Sequence, residues 1–310
     1  MSYLASLNPL NLLGAMPGNV AQGLIWGLMA LGVYITFRLL DFADLTVDGS
    51  FATGGAVTVV LILHGWSVPA ALLIAILAGL AAGLITGLLH TLLGIPPILA
   101  GILTQIALYS INLNIMGMAN LAVSVDQYPL LLSSRKITAS ILIALVLIAI
   151  VISALYWYFG TEQGSAIRAT GCNPAMSKAQ GINISVTKVI ALSLSNALVA
   201  LSGGFMAQYQ GFSDINMGRG AIVIGLAAVI IGEALFSRIF HNFALKMVSV
   251  SLGAIIYYIV IQLVLTLGFD ANLLKLLSAS VVAVFLAVPY WKGKYFSKPV
   301  KKAKEDAKNA

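Results

Sequence analysis

Apolar residues run through this chain in long continuous stretches separated by short polar intervals. A helix that crosses the hydrocarbon core of a bilayer needs about 20 mostly apolar residues, and the runs lack the alternation that membrane strands show. The pattern predicts an all-α, polytopic membrane helix bundle with about nine transmembrane helices, or eight to ten where segment limits are ambiguous. The predicted spans are residues 18–37, 50–64, 69–93, 98–116, 138–159, 188–208, 219–235, 245–267 and 274–290.

Two of these spans, 50–64 and 219–235, are short for a full crossing. Short or interrupted segments are typical of broken or re-entrant helices beside a transport path, although an error in the segment limits gives the same pattern. A re-entrant or interfacial helix within residues 3–16 would add a tenth membrane segment. In the third span, Gly79, Gly83 and Gly87 recur at intervals of four, which predicts close packing of two helix backbones.

Composition agrees with a membrane protein. The chain is 60% hydrophobic and 9% charged, whereas soluble domains carry roughly 25% charged residues. The net charge of +7 does not indicate a nucleic-acid partner, because seven of the 17 Lys and Arg residues follow Trp291. We therefore predict a transmembrane domain over residues 1–291 in a lipid bilayer, followed by a basic cytoplasmic tail over 292–310.

The distribution of Lys and Arg also predicts the orientation. With the N-terminus outside and nine spans, thirteen of these residues fall on the cytoplasmic side and four outside, as the positive-inside rule requires. The C-terminus is then cytoplasmic, and so is the long polar interval of about 160–188. Within this interval Asn173-Pro174 and Gly181 predict the start and end of a short helix over about 174–180.

The sequence lacks the usual patterns of catalytic and metal sites. Cys172 is the single cysteine and has no metal-ligand spacing around it. Gly293-Lys294 is followed by Tyr295, so the chain has no phosphate-binding loop for ATP. We expect no enzyme activity, no catalytic residue, no metal and no cofactor on this chain. Energy for uphill transport would come from another subunit, received at the polar interval.

Uncharged polar residues of the fourth span are the candidates for a transport path. Gln105, Tyr109 and Asn112 are spaced four and three apart, which places them on one helix face. Such a face suits passage of a polar or zwitterionic solute, but these side chains could equally bond neighbouring helices. Asn114 and Gln208 are further candidates for the path.

Ionisable residues are expected near the ends of the spans and not as a proton relay. His64, His90 and Glu233 fall near span ends, and Asp41, Asp44 and Asp48 follow the first span, where interfacial positions are expected. Asp48 precedes Gly49-Ser50 and is interpreted as the N-cap of the second span.

Four segments carry a family resemblance: 38–51, which contains Asp-Phe-Ala-Asp-Leu-Thr-Val-Asp-Gly-Ser-Phe, then 99–103, 108–117 and 164–182. They resemble permease subunits of ABC importers, in the broad group that contains the branched-chain amino acid and ribose permeases. The first segment is most similar to the tryptophan/tyrosine-type permeases of that group. The likeness covers most of residues 20–290.

This resemblance implies a bacterial plasma-membrane importer, with ATP and Mg on two cytoplasmic ABC ATPase subunits, an extracytoplasmic substrate-binding protein and a second permease copy. It also implies an ATPase-coupling segment at 164–182. Importer permeases often carry Glu-Ala-Ala-x-x-x-Gly there, whereas this chain has Ala175 in place of the Glu, so Arg168 or Lys178 is expected to supply the charged contact. The coupling candidates are Gly164, Arg168, Ala169, Asn173, Pro174, Ala175, Lys178, Ala179 and Gly181.

The predicted function is translocation of a small polar solute, with an amino acid as the substrate that the resemblance suggests. Sugars, nucleosides and small peptide-like solutes remain alternatives. A stand-alone secondary transporter or facilitator is the alternative function, which the shortage of deep ionisable residues disfavours. A membrane scaffold without transport is a weaker alternative.

Overall fold

The computed structural model describes residues 9–125, 127–236, 239–240, 242–266 and seven positions between 276 and 287. Its helices and strands follow one another as α1 (Pro9–Tyr34), a π-helical turn (Ile35–Leu39), α2 (Thr46–Leu63), α3 (Val68–Thr91), α4 (Pro97–Met116), β1 (Asn120–Ala122), α5 (Ile137–Gly160), α6 (Glu162–Cys172), α7 (Pro174–Ala179), α8 (Ile184–Gln210), β2 (Phe212–Asp214), α9 (Ala221–Phe236) and α10 (Phe243–Thr266).

The predicted polytopic all-α fold is confirmed. In the described part, seven helices are long and apolar enough to cross a membrane, and α9 is a shorter apolar helix. Eight of the nine predicted spans correspond to helices of the structure. Most of the ninth, 274–290, and the whole basic tail lie outside the described residues. A separate helix within 3–16 is wrong for the described positions, because α1 runs unbroken from Pro9 through Pro17.

Helix α8 lies at the centre of the bundle, packed against α1, α2 and α3. Its contact with α1 is antiparallel. Ser195 Oγ donates to Gly32 O at 2.7 Å, and Ser202 Oγ donates to Ile25 O at 2.7 Å. Hydroxyl groups of this kind join helices in lipid, where polar groups have no water to bond.

The glycines of α3 lie directly against α8. A Cβ at Gly79 would overlap Asn196 O, and a Cβ at Gly83 would overlap Leu192 O. The predicted close approach of two helix backbones is therefore confirmed, with α8 as the partner of α3.

The bundle has two distinct ends. One end, the α6–α7 end, carries the polar interval, and there Arg38, Arg168 and Lys246 line a common cleft with Glu233. The other end, the strand end, carries an antiparallel ribbon in which Asn120 of β1 is opposite Asp214 of β2. This ribbon was not predicted, since strands of three residues leave no periodic pattern in the sequence.

The link between the π-helical turn and α2 lies inside the bundle. Asp44 is 2% exposed, and its carboxylate accepts from Thr46 N at 2.9 Å and from Asn196 Nδ2 at 2.7 Å. Asn196 lies twelve residues into α8, about 18 Å from the start of that helix. The predicted interfacial position is thus wrong for Asp44, because α2 begins within the bundle. Asp41 is exposed and has a left-handed backbone conformation with φ of 55°.

Candidate functional site

A cavity of about 330 Å³ lies between α2, α4 and the segment that leads from β2 into α9. Small-molecule sites typically enclose ~300–1,000 Å³. We call it the central cavity. Its walls combine charged, amide, hydroxyl and apolar side chains. They are Asp48, Gly49, Ala52, Gln105, Ile106, Tyr109, Ser110, Asn112, Ile215 and Arg219.

Asp48 caps a helix at one wall of this cavity. Its two carboxylate oxygens accept from Gly220 N and Ile222 N, each at 2.9 Å, and so bind the first turn of α9. The predicted role as N-cap of α2 is wrong, because α2 starts at Thr46 and Asp48 lies within its first turn. A carboxylate at a helix N-terminus is stabilised by the helix dipole. The carboxylate thus closes the cavity wall where α9 begins.

The described part of helix α9 is shorter than the hydrocarbon core of a bilayer. Its 16 residues span about 24 Å, against a hydrocarbon core of ~30 Å. It starts beside Asp48, which lies two residues after Thr46, where α2 begins inside the bundle. Half-helices whose N-termini end inside a membrane are common at transport sites. The short predicted span thus marks a helix that begins at the cavity.

Helix α4 supplies the amide and hydroxyl groups of the cavity. The structure brings Gln105, Tyr109 and Asn112 together along its wall, with Ser110 beside them. Asn112 is 0% exposed. Among the described residues neither its Oδ1 nor its Nδ2 has a hydrogen-bond partner. Buried amides are nearly always paired in native proteins, so an unpaired one beside a cavity requires an explanation.

The other two path candidates lie elsewhere. Asn114 is exposed on α4 and does not line the central cavity. Gln208 is fully buried, and its Oε1 accepts from Leu131 N at 3.2 Å. Gln208 therefore holds the loop before α5 against α8.

Arg219 is the residue of the cavity that sequence reasoning missed. It is exposed, and no carboxylate within the described residues pairs with its guanidinium. From the sequence, Arg219 was only one of the four Lys and Arg residues predicted to lie outside the cytoplasm. Its position directly before a short span, in Gly218-Arg219-Gly220, was the available signal.

The polar interval folds into two helices, α6 and α7. Asn173 Oδ1 accepts from Met176 N at 3.0 Å, which caps α7, and Gly181 ends it with φ of +84°. The short helix over 174–180 is therefore present within one residue of its predicted end. Pro174, Ala175, Lys178 and Ala179 are all exposed. This set is the α7 face.

The remaining coupling candidates hold α6 to the bundle. Gly164 is buried against the backbone of Phe159, where a Cβ would overlap. Arg168 Nη2 donates to Phe159 O at 2.9 Å, and its guanidinium lies 5.4 Å from the ring centroid of Phe243. Ala169 lines a groove of about 570 Å³ between α6 and the start of α8. The Arg168 side chain thus already has partners within this chain, whereas the Lys178 side chain is exposed.

Two further polar pairs lie at the α6–α7 end. Arg38 Nε is 2.8 Å from Glu233 Oε1, and Lys188 Nζ is 3.1 Å from His90 Nε2. The Arg38–Glu233 ion pair is partly exposed, and such pairs contribute about 0–1 kcal/mol. His64 Nδ1 lies 2.7 Å from Val60 O. Within the described ranges, His, Cys, Asp and Glu form no group that could hold a metal ion.

Comparison with known proteins agrees with this architecture. The family model described as branched-chain amino acid transport system / permease component matches residues 18–288. A tyrosine transport system permease protein of Clostridioides difficile is 41% identical over 268 residues, which are 86% of this chain and 89% of that protein. An uncharacterized protein of Rickettsia prowazekii is 35% identical over 268 residues, 86% of this chain and 94% of the relative. No solved structure matches the chain.

The resemblance drawn from the sequence motifs is thereby confirmed, and the expectation of a transport subunit agrees with it. The chain is a multi-pass membrane protein, and it belongs to the family of branched-chain amino acid transport system permease components.

Proposed function

We propose that this permease is the membrane subunit of an ATP-driven importer for an amino acid, coupled to a cytoplasmic ABC ATPase through the α7 face. The observation that carries the proposal is the α7 face itself. It is an exposed, capped helix of small residues and one cation, at the end of the bundle where the basic side chains gather. The positive-inside rule supports a cytoplasmic position for this end.

The contacts that hold α6 and α7 to the bundle favour docking of a partner on α7. Helix α6 is fastened to the bundle by Arg168, and Gly171 lies so close to Leu39 that a Cβ would overlap the Leu39 carbonyl oxygen. Helix α7 connects to α8 through a turn of four residues. A displacement of α7 is therefore passed to the central helix and not absorbed by a flexible loop.

The amino acid substrate is proposed from the cavity and the relatives. The central cavity holds one carboxylate, one guanidinium and several uncharged polar groups, which suits a zwitterion. One relative is named a tyrosine transport permease. Selection of the substrate would be shared with an extracytoplasmic binding protein.

We also propose that a second copy covers the open side of α4. Tyr109 is 40% exposed, and Ser110 and Asn114 are exposed beside it. Polar groups of this kind are unfavourable against lipid tails, since hydrocarbon offers no hydrogen bonds. A partner helix would satisfy them and would close the transport path between two permeases.

The coupling proposal is tested by Ala175→Arg, with Ala175→Ser as the matched small control. The bulky charged residue should abolish capture of a phosphate-loop ATPase, identified by mass spectrometry, from native membranes that contain the full-length tagged permease. The Ala175→Ser variant should retain the ATPase. Equal membrane insertion of both variants is the control for folding. Normal ATPase capture by Ala175→Arg would refute docking on the α7 face.

A further inference from the structure

The cleft at the α6–α7 end carries more positive than negative charge. It has a volume of about 280 Å³ and lies between the π-helical turn, α6, α9 and the start of α10. We call it the basic cleft. Arg38, Arg168 and Lys246 line it together with one carboxylate, that of Glu233. These three cations and one carboxylate leave a net charge of +2.

The partners of these side chains leave two cations without a counter-charge. Glu233 is paired with Arg38 at 2.8 Å. The Arg168 guanidinium contacts a backbone carbonyl, a serine hydroxyl and the ring of Phe243, all of which are neutral. Lys246 is exposed, and its Nζ has no partner among the described residues. An anion could therefore bind between Arg168 and Lys246 without displacing a carboxylate of the protein.

A second depression adjoins the basic cleft and shares Arg168 and Phe243 with it. Its volume is about 510 Å³, and we call it the aromatic groove. Tyr156 and Trp157, in the last turns of α5, line it and are 50% and 74% exposed. Of the seven candidate spans, α5 is the least buried within the bundle, so these rings face lipid. Exposed Trp and Tyr at a helix end are typical of the boundary between headgroups and acyl chains.

We infer that the basic cleft and the aromatic groove together bind one anionic phospholipid. Its phosphate would lie between Arg168 and Lys246, and its glycerol backbone and acyl chains would lie along Tyr156 and Trp157. Basic pockets between membrane helices bind anionic headgroups in other proteins. A zwitterionic lipid would bring its own cation into a cleft that is already positive. An acidic protein segment would neutralise the cleft but would leave the lipid-facing aromatic groove unfilled.

This lipid would have a structural effect on the coupling end of the bundle. Its phosphate would bridge Arg168 of α6 and Lys246 of α10, two helices that are far apart in the sequence. A ligand that binds only one arrangement of a protein stabilises that arrangement. The anionic lipid would thus favour the position of α6 against the bundle. The inference goes beyond the proposed transport function and does not depend on it.

Cys172 provides a reporter for the occupancy of the basic cleft. It lines the cleft, is exposed and is the single cysteine of the chain. The full-length permease is placed in phosphatidylcholine nanodiscs with rising fractions of phosphatidylglycerol that has the same acyl chains. The rate of Cys172 modification by N-ethylmaleimide should fall with added phosphatidylglycerol and reach a plateau. An equal rate in all nanodiscs would overturn the inference.

Two variants with the same change of charge separate a defined site from general attraction to an anionic surface. Lys246→Gln should raise the phosphatidylglycerol fraction for half-maximal protection about fivefold, the usual contribution of one basic residue near an anionic surface. Lys178→Gln, at an exposed position of α7 outside the cleft, should leave this fraction unchanged. Each rate is divided by that of the same variant in phosphatidylcholine alone. Equal shifts in both variants, or no shift in Lys246→Gln, would contradict the site.

A soluble phosphate compound is distinguished from a lipid in the same assay. Glycerol 1-phosphate and inorganic phosphate, added to phosphatidylcholine nanodiscs, should leave Cys172 reactive, because neither has acyl chains to occupy the aromatic groove. Trp157→Ala, at a largely exposed position, should weaken protection by phosphatidylglycerol. Full protection by glycerol 1-phosphate, or unchanged lipid protection in Trp157→Ala, would refute the assignment to a phospholipid.

Discussion

Two asparagines of this permease are equally buried but differ in their partners. Asn112 and Asn196 are each 0% exposed. Asn196 donates to Asp44 at 2.7 Å and accepts from Ser50 Oγ at 2.6 Å, whereas Asn112 has no partner among the described residues. Replacing each with leucine, which has a similar shape, should therefore change stability in opposite directions.

The size of the effect follows from the number of bonds. Asn196→Leu removes two hydrogen bonds between elements and leaves Asp44 Oδ2 and the Ser50 hydroxyl without these partners, while Asp44 Oδ1 still accepts from Thr46 N. An unpaired buried group costs about 1–3 kcal/mol, and hydrogen bonds within membrane proteins average about 0.6 kcal/mol with a maximum of about 1.7 kcal/mol. Both estimates agree with a decrease of about 2–3 kcal/mol in the free energy of unfolding when the two hydrogen bonds are lost together.

Asn112→Leu should raise the free energy of unfolding by about 1 kcal/mol. The substitution removes a buried amide whose desolvation is unfavourable and is not compensated by a hydrogen bond. The variants should thus differ by about 3–4 kcal/mol.

The measurement is reversible unfolding of the purified permease in mixed micelles titrated with SDS. Helical content reports the folded fraction, and Asn114→Leu, an exposed position on the same helix as Asn112, gives the effect of a leucine outside the core. Equal destabilisation by Asn112→Leu and Asn196→Leu would refute the reasoning, because the Asn112 amide would then have a partner that stabilises the fold.

Two other predictions address the interfaces of the bundle. If a second copy covers α4, Ser110→Cys in a Cys172→Ser background should form a disulfide-linked dimer in oxidised membranes, visible on a non-reducing gel; a thiol that reacts with maleimide but never cross-links would exclude this interface. Gly83→Ala should lower the free energy of unfolding by about 1–3 kcal/mol through overpacking against α8. Gly160→Ala should be nearly neutral, since nothing lies within 4 Å of its Cβ position, and equal SDS midpoints for the two alanine variants would contradict the packing.

The helices were predictable because the signals that specify them are local. Long apolar runs have to be helical in lipid, where every backbone group needs an internal partner. The α7 helix was equally readable, since Asn173-Pro174 and Gly181 fix its two ends within one short segment. Likewise the spacing of Gly79, Gly83 and Gly87 predicted close packing of two helix backbones, although it did not predict that α8 is the second helix.

The errors concern contacts between residues far apart in the sequence. Asp48 has the residue type of an N-cap, and it does cap a helix, but its partner Gly220, just before that helix, lies 172 residues later. Asp44 is paired with a residue 152 positions away, so a polar segment that looked interfacial is buried. The expectation that Arg168 or Lys178 contacts an ATPase is untested, but the contact of Arg168 with Phe243 of α10 also joins residues far apart in the sequence. None of these partners leaves a local pattern.

The central position of α8 has a mechanical consequence. Its 27 residues form a rod about 40 Å long, and α3 presses on it near residues 189–200. The middle of that contact lies about 15 Å from the start of the rod and about 24 Å from its end. A rigid tilt of α8 about this contact would have its longer arm toward the strand end. A displacement of 1 Å at the start of α8 would then become roughly 1.6 Å at Gln210, and the chain reaches the cavity wall at Ile215 five residues later.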